Sequence, residues 1–267
     1  MPARPQPVAD LAGVSITTER RGDVTELELV GVDALAAEPD VVDELVRAAR
    51  RAMARPEVQG SVVHLAATHP AEAFAPVPEA VADALGLPHR RDLLQLRRTL
   101  PVPPDHPSRA TAPPLALRPI DLVAPSGDAA AWLRVNNRAF ATHPDQGAET
   151  PETLAARTAE PWFDPAGFLV ADDTDRPGEL AGFCWTKVHP ATVGEPEELG
   201  EIYVIGVDPS HQGQGLGPAL VLAGLDHLAG LGVTTAVLYV EADNGPALTL
   251  YDRLGFAVHQ RRRVYST

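Results

Sequence analysis

The stretch EIYVIGVDPSHQGQGLGPAL, Glu201 to Leu220, runs from an apolar strand through a turn into a predicted helix. Gly206, Gly213, Gly215 and Gly217 fall within twelve residues of it. Glycine weakens a packed element, so glycines at a strand-to-helix junction point to a backbone requirement. One such requirement is the close approach of N–H groups to a phosphate, which the helix dipole also favours. The spacing Gln212-x-x-Gly215-x-Gly217 lacks the Lys-Ser/Thr ending of a P-loop. The alternating Gly213, Gly215 and Gly217 also miss the Gly-x-Gly-x-x-Gly order, so ATP and NAD are disfavoured. On these residues alone, a plain flexible turn stays open.

Bulk composition bounds the reading. The chain has 267 residues, enough for one large domain or two of ordinary size. It is 45% hydrophobic and 22% charged, a composition normal for a globular protein with a sizeable core. No apolar run reaches the length of about 20 residues that crosses a bilayer. The opening MPARPQPVAD lacks the apolar centre of a secretory leader. A single cysteine, Cys184, excludes an intrachain disulfide and fits a reducing, cytoplasmic setting. The formal net charge of -14 repels nucleic acid and anionic membrane, so neither is expected as a partner. A small neutral or cationic molecule is expected instead, acting on a monomer. His143 and His189 each precede a proline and show no metal-ligand spacing, so both are expected in loops and no metal is expected.

Proline marks the organisation. Seven of the 27 prolines lie between Pro101 and Pro119, a stiff linker composition that places a boundary at about residues 101–114. The segments on either side are 1–105 and 115–267. In the second, strands are predicted at Leu115–Pro119, GFLVAD, ELAGFCWTKVH, LGEIYVIGVD and TTAVLYVEA, and one or two in FAVHQRRRVYS. Helices are predicted in DAAAWLRVNNRAF, TPETLAARTA, GPALVLAGLDHLAGLG and NGPALTLYDRLG. That order describes an α/β protein with a mixed sheet and helices on its faces. In the first segment VTELELVGV and SVVHLAA read as strands and VVDELVRAARRAMA as an amphipathic helix. A helix, a Leu-Gly break and a strand follow in VADALGLPHRRDLLQLRR. Leu85-Gly86-Leu87 there echoes Leu254-Gly255-Phe256, a weak sign of internal repetition for which chance is the alternative.

The Gln212-x-x-Gly215-x-Gly217 turn between strand and helix, followed by YVEADNGPALTLYDRLGF (Tyr239–Phe256), resembles two ordered signatures of the GNAT superfamily of N-acyltransferases. The resemblance implies the GNAT acyl-CoA N-acyltransferase fold, with acetyl-CoA as cosubstrate. LRVNNRAFATHPDQG (Leu133–Gly147), WFDPAGFLVA (Trp162–Ala171) and GFCWTKVHP (Gly182–Pro190) are similar to the mycothiol synthase family within it. That likeness implies tandem domains, a degenerate GNAT-like 1–105 without a CoA loop and a catalytic 115–267. It also implies acetyl transfer to the cysteinyl amine of a glucosamine–inositol conjugate. The first segment would then be a lid that helps wall the substrate cleft.

The same resemblance implies site roles. Glu201 would hold or deprotonate the amine, and Tyr251 would protonate the departing thiolate. Asp145, Lys187 and Tyr239 would contact substrate together with Glu201. Ile205, Gly206 and Val207, on a strand splayed from its neighbour, would face the pantetheine and thioester. Gln212, Gly213, Gln214, Gly215, Leu216, Gly217 and Pro218 would wrap the pyrophosphate. Asn244, Gly245, Pro246, Ala247, Leu248 and Thr249 would complete the CoA site. Pro218 departs from the pattern because it has no N–H to donate, although proline is tolerated in a first helical turn.

The residues themselves add weight. An alkyl amine is largely protonated near neutrality, so attack on a thioester needs a base. Glu201 is a carboxylate in an otherwise apolar strand, on the face shared with Tyr203 and Ile205 if the period is two. Such a carboxylate must be paired, wet or functional. Tyr251 shares a helical face with Leu248 and Leu254 and reads equally well as core. Lys187 reads as a snorkelling strand-end lysine, Cys184 as buried and inert, and Arg261-Arg262-Arg263 as a solvated strand end. Two rival readings remain: a GNAT enzyme for another amine, and a CoA-binding protein without chemistry.

Overall fold

The alternation of Glu26, Leu27, Glu28 and Leu29 and a helical apolar stripe in VVDELVRAARRAM set the first elements. The structure, a computed structural model, describes residues 6–11, 14–21, 24–30, 39–56, 58, 62–70, 76–123, 127–141, 147–192 and 195–266. The chain divides into two compact units. The first comprises Met1–Leu96, Tyr239–Gly245 and Val258–Thr267; the second comprises Arg97–Leu238 and Pro246–Ala257. The division thus falls before the proline-rich run expected to carry it. The last strand belongs to the first unit, not to the segment 115–267.

In the first unit, β1 (Gln6–Leu11), β2 (Val14–Arg21) and β3 (Val24–Val30) form an antiparallel meander. Helix α1 (Pro39–Met53) crosses over to β4 (Val62–Pro70), which runs parallel to β3. Helix α2 (Pro76–Leu85) then leads into β5 (His89–Thr99). Ala48, Ala49 and Ala52 of α1 are fully buried with Leu27, Leu29 and Leu65. Small side chains on that stripe let the helix lie close to the sheet. The tail is one strand, β11 (Ala257–Ser266), antiparallel to β4 from Gln260↔Pro70 to Ser266↔His64.

Two expectations change here. The arginine run is not a solvated strand end: Arg262 pairs with Glu26 and Glu28, and Arg261 and Arg263 pair with Asp92. The Leu-Gly echo is a shared helix ending. Gly86 and Gly255 both have positive φ, +71 and +78. In each case the next residue donates to the carbonyl five positions back, Leu87 to Ala82 and Phe256 to Tyr251. The same bond, Val233 to Leu228, ends a third helix, so the echo by itself is no sign of duplication.

In the second unit, the apolar run LAGFCW lies in β8 (Leu180–His189), buried from Leu180 to Thr186. Unbroken apolar sequence is the pattern of a strand covered on both faces. The order is β6 (Leu117–Pro119), β7 (Phe168–Asp172), β8, β9 (Leu199–Val207), then the Thr235–Leu238 part of β10 (Thr235–Glu241). β6 to β9 are antiparallel neighbours, and β10 is parallel to β9. The sheet is therefore mixed, as expected. α4 (Ala129–Ala139) and α5 (Pro151–Thr158) cover one face, where Trp132, Val135 and Leu154 pack on Phe168, Phe183 and Trp185. α6 (Leu216–Gly230) covers the other. A Cβ on Gly224 would lie 2.6 Å from Cys184 Sγ and 2.9 Å from Ile202 Cδ1, so this helix needs glycine to sit on the sheet. The proline-rich run contains a short helix, α3 (Pro107–Thr111), whose Arg109 pairs with Asp226 of α6.

Asp208, just after β9, ties the start of the glycine turn to the unit. It is 2% exposed. Its carboxylate accepts from Ser210 N and Oγ at 3.0 and 2.6 Å and from Arg138 Nε at 2.8 Å. Burial pushes its carboxyl up, but the bonds from Ser210 and Arg138 outweigh that and hold it well below the usual range. A depressed carboxyl stabilises the fold above its unfolded pKa, and that contribution fades as pH falls through the folded value. Asp208→Asn should therefore lose about 2 kcal/mol near pH 7. Urea unfolding of both proteins should show the gap shrinking below about pH 4. A gap independent of pH would exclude the charge as its source. Gly206→Ala is a second check, because its Cβ would lie 2.6 Å from Phe183 Cε1. Thermal melting should show a loss of about 1–3 kcal/mol.

Candidate active site

The site begins at a local irregularity. In the antiparallel pair β8–β9, Trp185 faces Val204 and Thr186 faces Ile202, leaving Tyr203 as the extra residue of a bulge. Lys187 faces Glu201 in register. Because of the bulge, Glu201 and Tyr203 stay on the α4 face with Lys187 and Trp185, whereas Ile205 moves to the α6 face with Cys184. The face predicted to join Glu201, Tyr203 and Ile205 is thus broken after Tyr203. A period of two cannot show a bulge.

Glu201 is 7% exposed. Its Oε2 lies 2.6 Å from His189 Nε2. His189 ends β8 two residues after Lys187, so it is a strand residue and not the loop residue expected. The alternation Trp185, Lys187, His189 was the signal that could have placed it. Lys187 Nζ sits 4.6 Å above the Trp162 ring centroid and 5.3 Å from that of Tyr203. It is seated by cation–π attraction and does not snorkel freely. Tyr203 packs edge-on against Trp162 and Trp185, and burial raises its phenol. Arg157 lies over the same ring and pairs at 2.5 Å with buried Glu149. Trp162, Tyr203, Arg157 and Glu149 thus join the site without having been singled out in sequence. Asp145 and His143 lie outside the described residues.

The register between β9 and β10 runs from Leu199↔Thr235 to Glu201↔Val237, while β9 continues to Val207 against β8. The strands therefore part just beyond Glu201, as the splayed-strand reading expects. Ile205, Gly206 and Val207 lie on the parted stretch. The bare Cα of Gly206 also has a packing reason, the Phe183 ring against it.

Past Asp208 the chain makes its turn. Gly213 and Gly215 have φ of +77 and +81, conformations that cost a residue with a side chain. A Cβ at Gly213 would meet nothing within 4 Å. Gly215 is the N-cap of α6 and offers no side-chain bond to the first N–H groups. Gln212 and Gln214 donate back to Val207 O and Ser210 O, bracing the turn. Leu216, Gly217 and Pro218 form the first turn of α6, where a proline costs little. These features fit a pyrophosphate: an uncapped helix N-terminus, open space and glycine backbone.

α7 (Gly245–Arg253) follows Asn244, with Pro246, Ala247, Leu248 and Thr249 in its first part. A Cβ on Gly217 would lie 3.5 Å from Leu250 Cδ2, so α7 packs beside the start of α6. Tyr251 is 7% exposed and edge-on to Phe256. Burial, with the Cys184 thiol adding to it, raises its phenol above the ordinary value. The thiol itself is pushed up to about 12 by burial. Tyr251 is therefore both core and a phenol kept protonated at neutral pH, the form that can donate. Tyr239 belongs to the first unit. It is 48% exposed, and its hydroxyl accepts from Gln95 Nε2 at 2.8 Å. With Thr68, Leu93, Gln95, Gln260 and Arg262 it lines a cavity of about 170 Å³.

Residues 132–256 match the family model described as Acetyltransferase (GNAT) family. The protein named "Mycothiol acetyltransferase" from Acidimicrobium ferrooxidans is 51% identical over 207 residues, 75% of this chain and 64% of that one. The chain thus spans under two thirds of that relative's length. A GCN5-related N-acetyltransferase from Sphaerobacter thermophilus superposes with TM-score 0.68 at 22% identity, covering 95% of this chain and 76% of that chain. A tandem GNAT protein from the clavulanic acid biosynthesis pathway does so with TM-score 0.61 at 19% identity, covering 95% and 78%. At those identities the structures show a shared fold. Residues 132–256, which match the GNAT acetyltransferase family model, thus hold Glu201, the glycine turn and Tyr251.

Proposed function

We propose that this chain transfers acetyl from acetyl-CoA to the cysteinyl amine of 1-D-myo-inositol 2-(L-cysteinylamino)-2-deoxy-glucopyranoside, forming mycothiol. The observation that carries an acyl transfer to an amine is the buried Glu201 at the point where β9 leaves β10. The choice of amine is supported by the name of the relative at 51% identity. The reaction is placed in the cytoplasm and on a monomer, with no nucleic-acid or membrane partner and no metal. The first unit is read as a degenerate GNAT-like domain, a reading supported by the likeness to a tandem GNAT protein.

Acetyl-CoA, when bound, supplies an activated thioester. The chain's own residues do the rest. Gln212 to Pro218 hold the pyrophosphate through backbone N–H groups, Pro218 excepted. Ile205 to Val207 present their backbone along the parted edge of β9, and Asn244 to Thr249 close the CoA site. Glu201 accepts a proton from the ammonium and so frees the nucleophile. Tyr251, kept neutral by burial, gives its proton to the departing sulfur. Lys187, Asp145 and Tyr239 bind the acceptor.

Acetyl transfer by the purified chain to the desacetyl precursor and to a panel of amino acids, peptides and aminoglycosides tests the substrate. The precursor is expected to have the highest kcat/KM, and no turnover of it would refute the assignment. Glu201→Gln should lower kcat/KM by about 10²–10⁴-fold, and Tyr251→Phe should lower kcat more than it alters KM. Acetyl-CoA binding with transfer unaffected by either change would favour a non-catalytic role for both.

A further inference from the structure

We propose that His189 is the outlet through which Glu201 passes the amine's proton to water, a positioning and relay role that rests on Glu201 being the base. A buried base works once per turnover only if its proton can leave. The Glu201 side chain is 9% exposed, so its carboxylate has little direct access to water. The His189 side chain is 36% exposed and touches Glu201 Oε2 with Nε2 at 2.6 Å. One nitrogen therefore meets the base, while the ring reaches solvent. A neutral imidazole can accept at one nitrogen and release from the other without moving.

The surroundings favour passage over storage. On the strands, Lys187 of β8 lies beside Glu201 with its charge over the Trp162 and Tyr203 rings. β10 contributes uncharged Val237 opposite Glu201. From the helical side, Arg157, Glu149 and Glu160 are ranged about Tyr203, and Arg157 is engaged with Glu149. Among the described residues, His189 has both a bond to the carboxylate and a part-exposed side chain.

The balance closes. The ammonium gives one proton to Glu201, then to His189 Nε2, and a proton leaves Nδ1 for water; a turn of the ring and exchange with solvent then restore the starting tautomer for the next turnover. The N–C bond forms and the C–S bond breaks. The second nitrogen proton, passed through water, restores the Tyr251 phenol that has given its proton to sulfur. The net change is one ammonium and one thioester giving one amide, one thiol and one released proton.

The test compares wild type, His189→Ala, His189→Gln and Glu201→Gln across pH 6 to 9, on an amine that wild type acetylates. His189→Gln keeps a hydrogen bond to the carboxylate but carries no proton. Both His189 variants should lose about tenfold or more in kcat with little change in KM for acetyl-CoA. Added imidazole should speed His189→Ala in proportion to its free-base fraction and leave His189→Gln unchanged. Melting temperatures identify any variant that is merely unfolded. His189→Gln with wild-type kcat, or a folded, slow His189→Ala that imidazole does not accelerate at any pH, overturns the proposal. Glu201→Gln with wild-type kcat overturns instead the reading on which it rests, so the two failures are distinguishable.

Discussion

Two strands that pair for three residues and then part are the constraint on which this site depends. Hydrogen bonding between β9 and β10 covers Leu199–Glu201 against Thr235–Val237 and goes no further. A parallel ladder normally satisfies both edges of an inner strand. Among the described residues, β9 has no register partner on β10 beyond Glu201. The bulge at Tyr203 keeps an acid and an aromatic on one face of β9 while turning Ile205 to the other. The glycine turn and α6 begin where the strand ends.

Charge placement follows from this geometry. A carboxylate cannot be buried alone without a large cost. Glu201 meets that requirement with His189, leaving Lys187 to the aromatic rings. Asp208, seven residues on, is satisfied differently, by Ser210 and by Arg138 from α4. One acid is tied firmly and fixes a loop. The other, among the described residues, meets His189, whose side chain is 36% exposed. The contrast separates an anchoring carboxylate from one able to exchange protons.

The strand–glycine–helix order was legible because backbone conformation demanded it: Gly213 and Gly215 occupy left-handed φ. Glu201 stood out as a carboxylate in an apolar strand. The link to His189 was not legible, because it joins residues twelve apart across a hairpin whose register a bulge resets. Tyr251 read as core or as acid, and its burial, which raises its own phenol, is compatible with both. β1 and β2 went unassigned because QPVADL and VSITTERR carry few apolar residues and only weak alternation. The compact units do not follow the proline run, because proline density marks stiffness, while compactness depends on contacts made by a strand at the far end of the sequence.

The central claim is that the parted edge of β9 and the buried Glu201 together form the acetyl-transfer centre. A crystal structure of the chain with CoA and an acetylated amine product tests it most directly. The account predicts the pantetheine arm against the backbone of Ile205–Val207, the pyrophosphate on Gly213–Gly217, and the amide nitrogen at Glu201 directly or through one water. CoA bound elsewhere, or a product amide remote from Glu201, would contradict it.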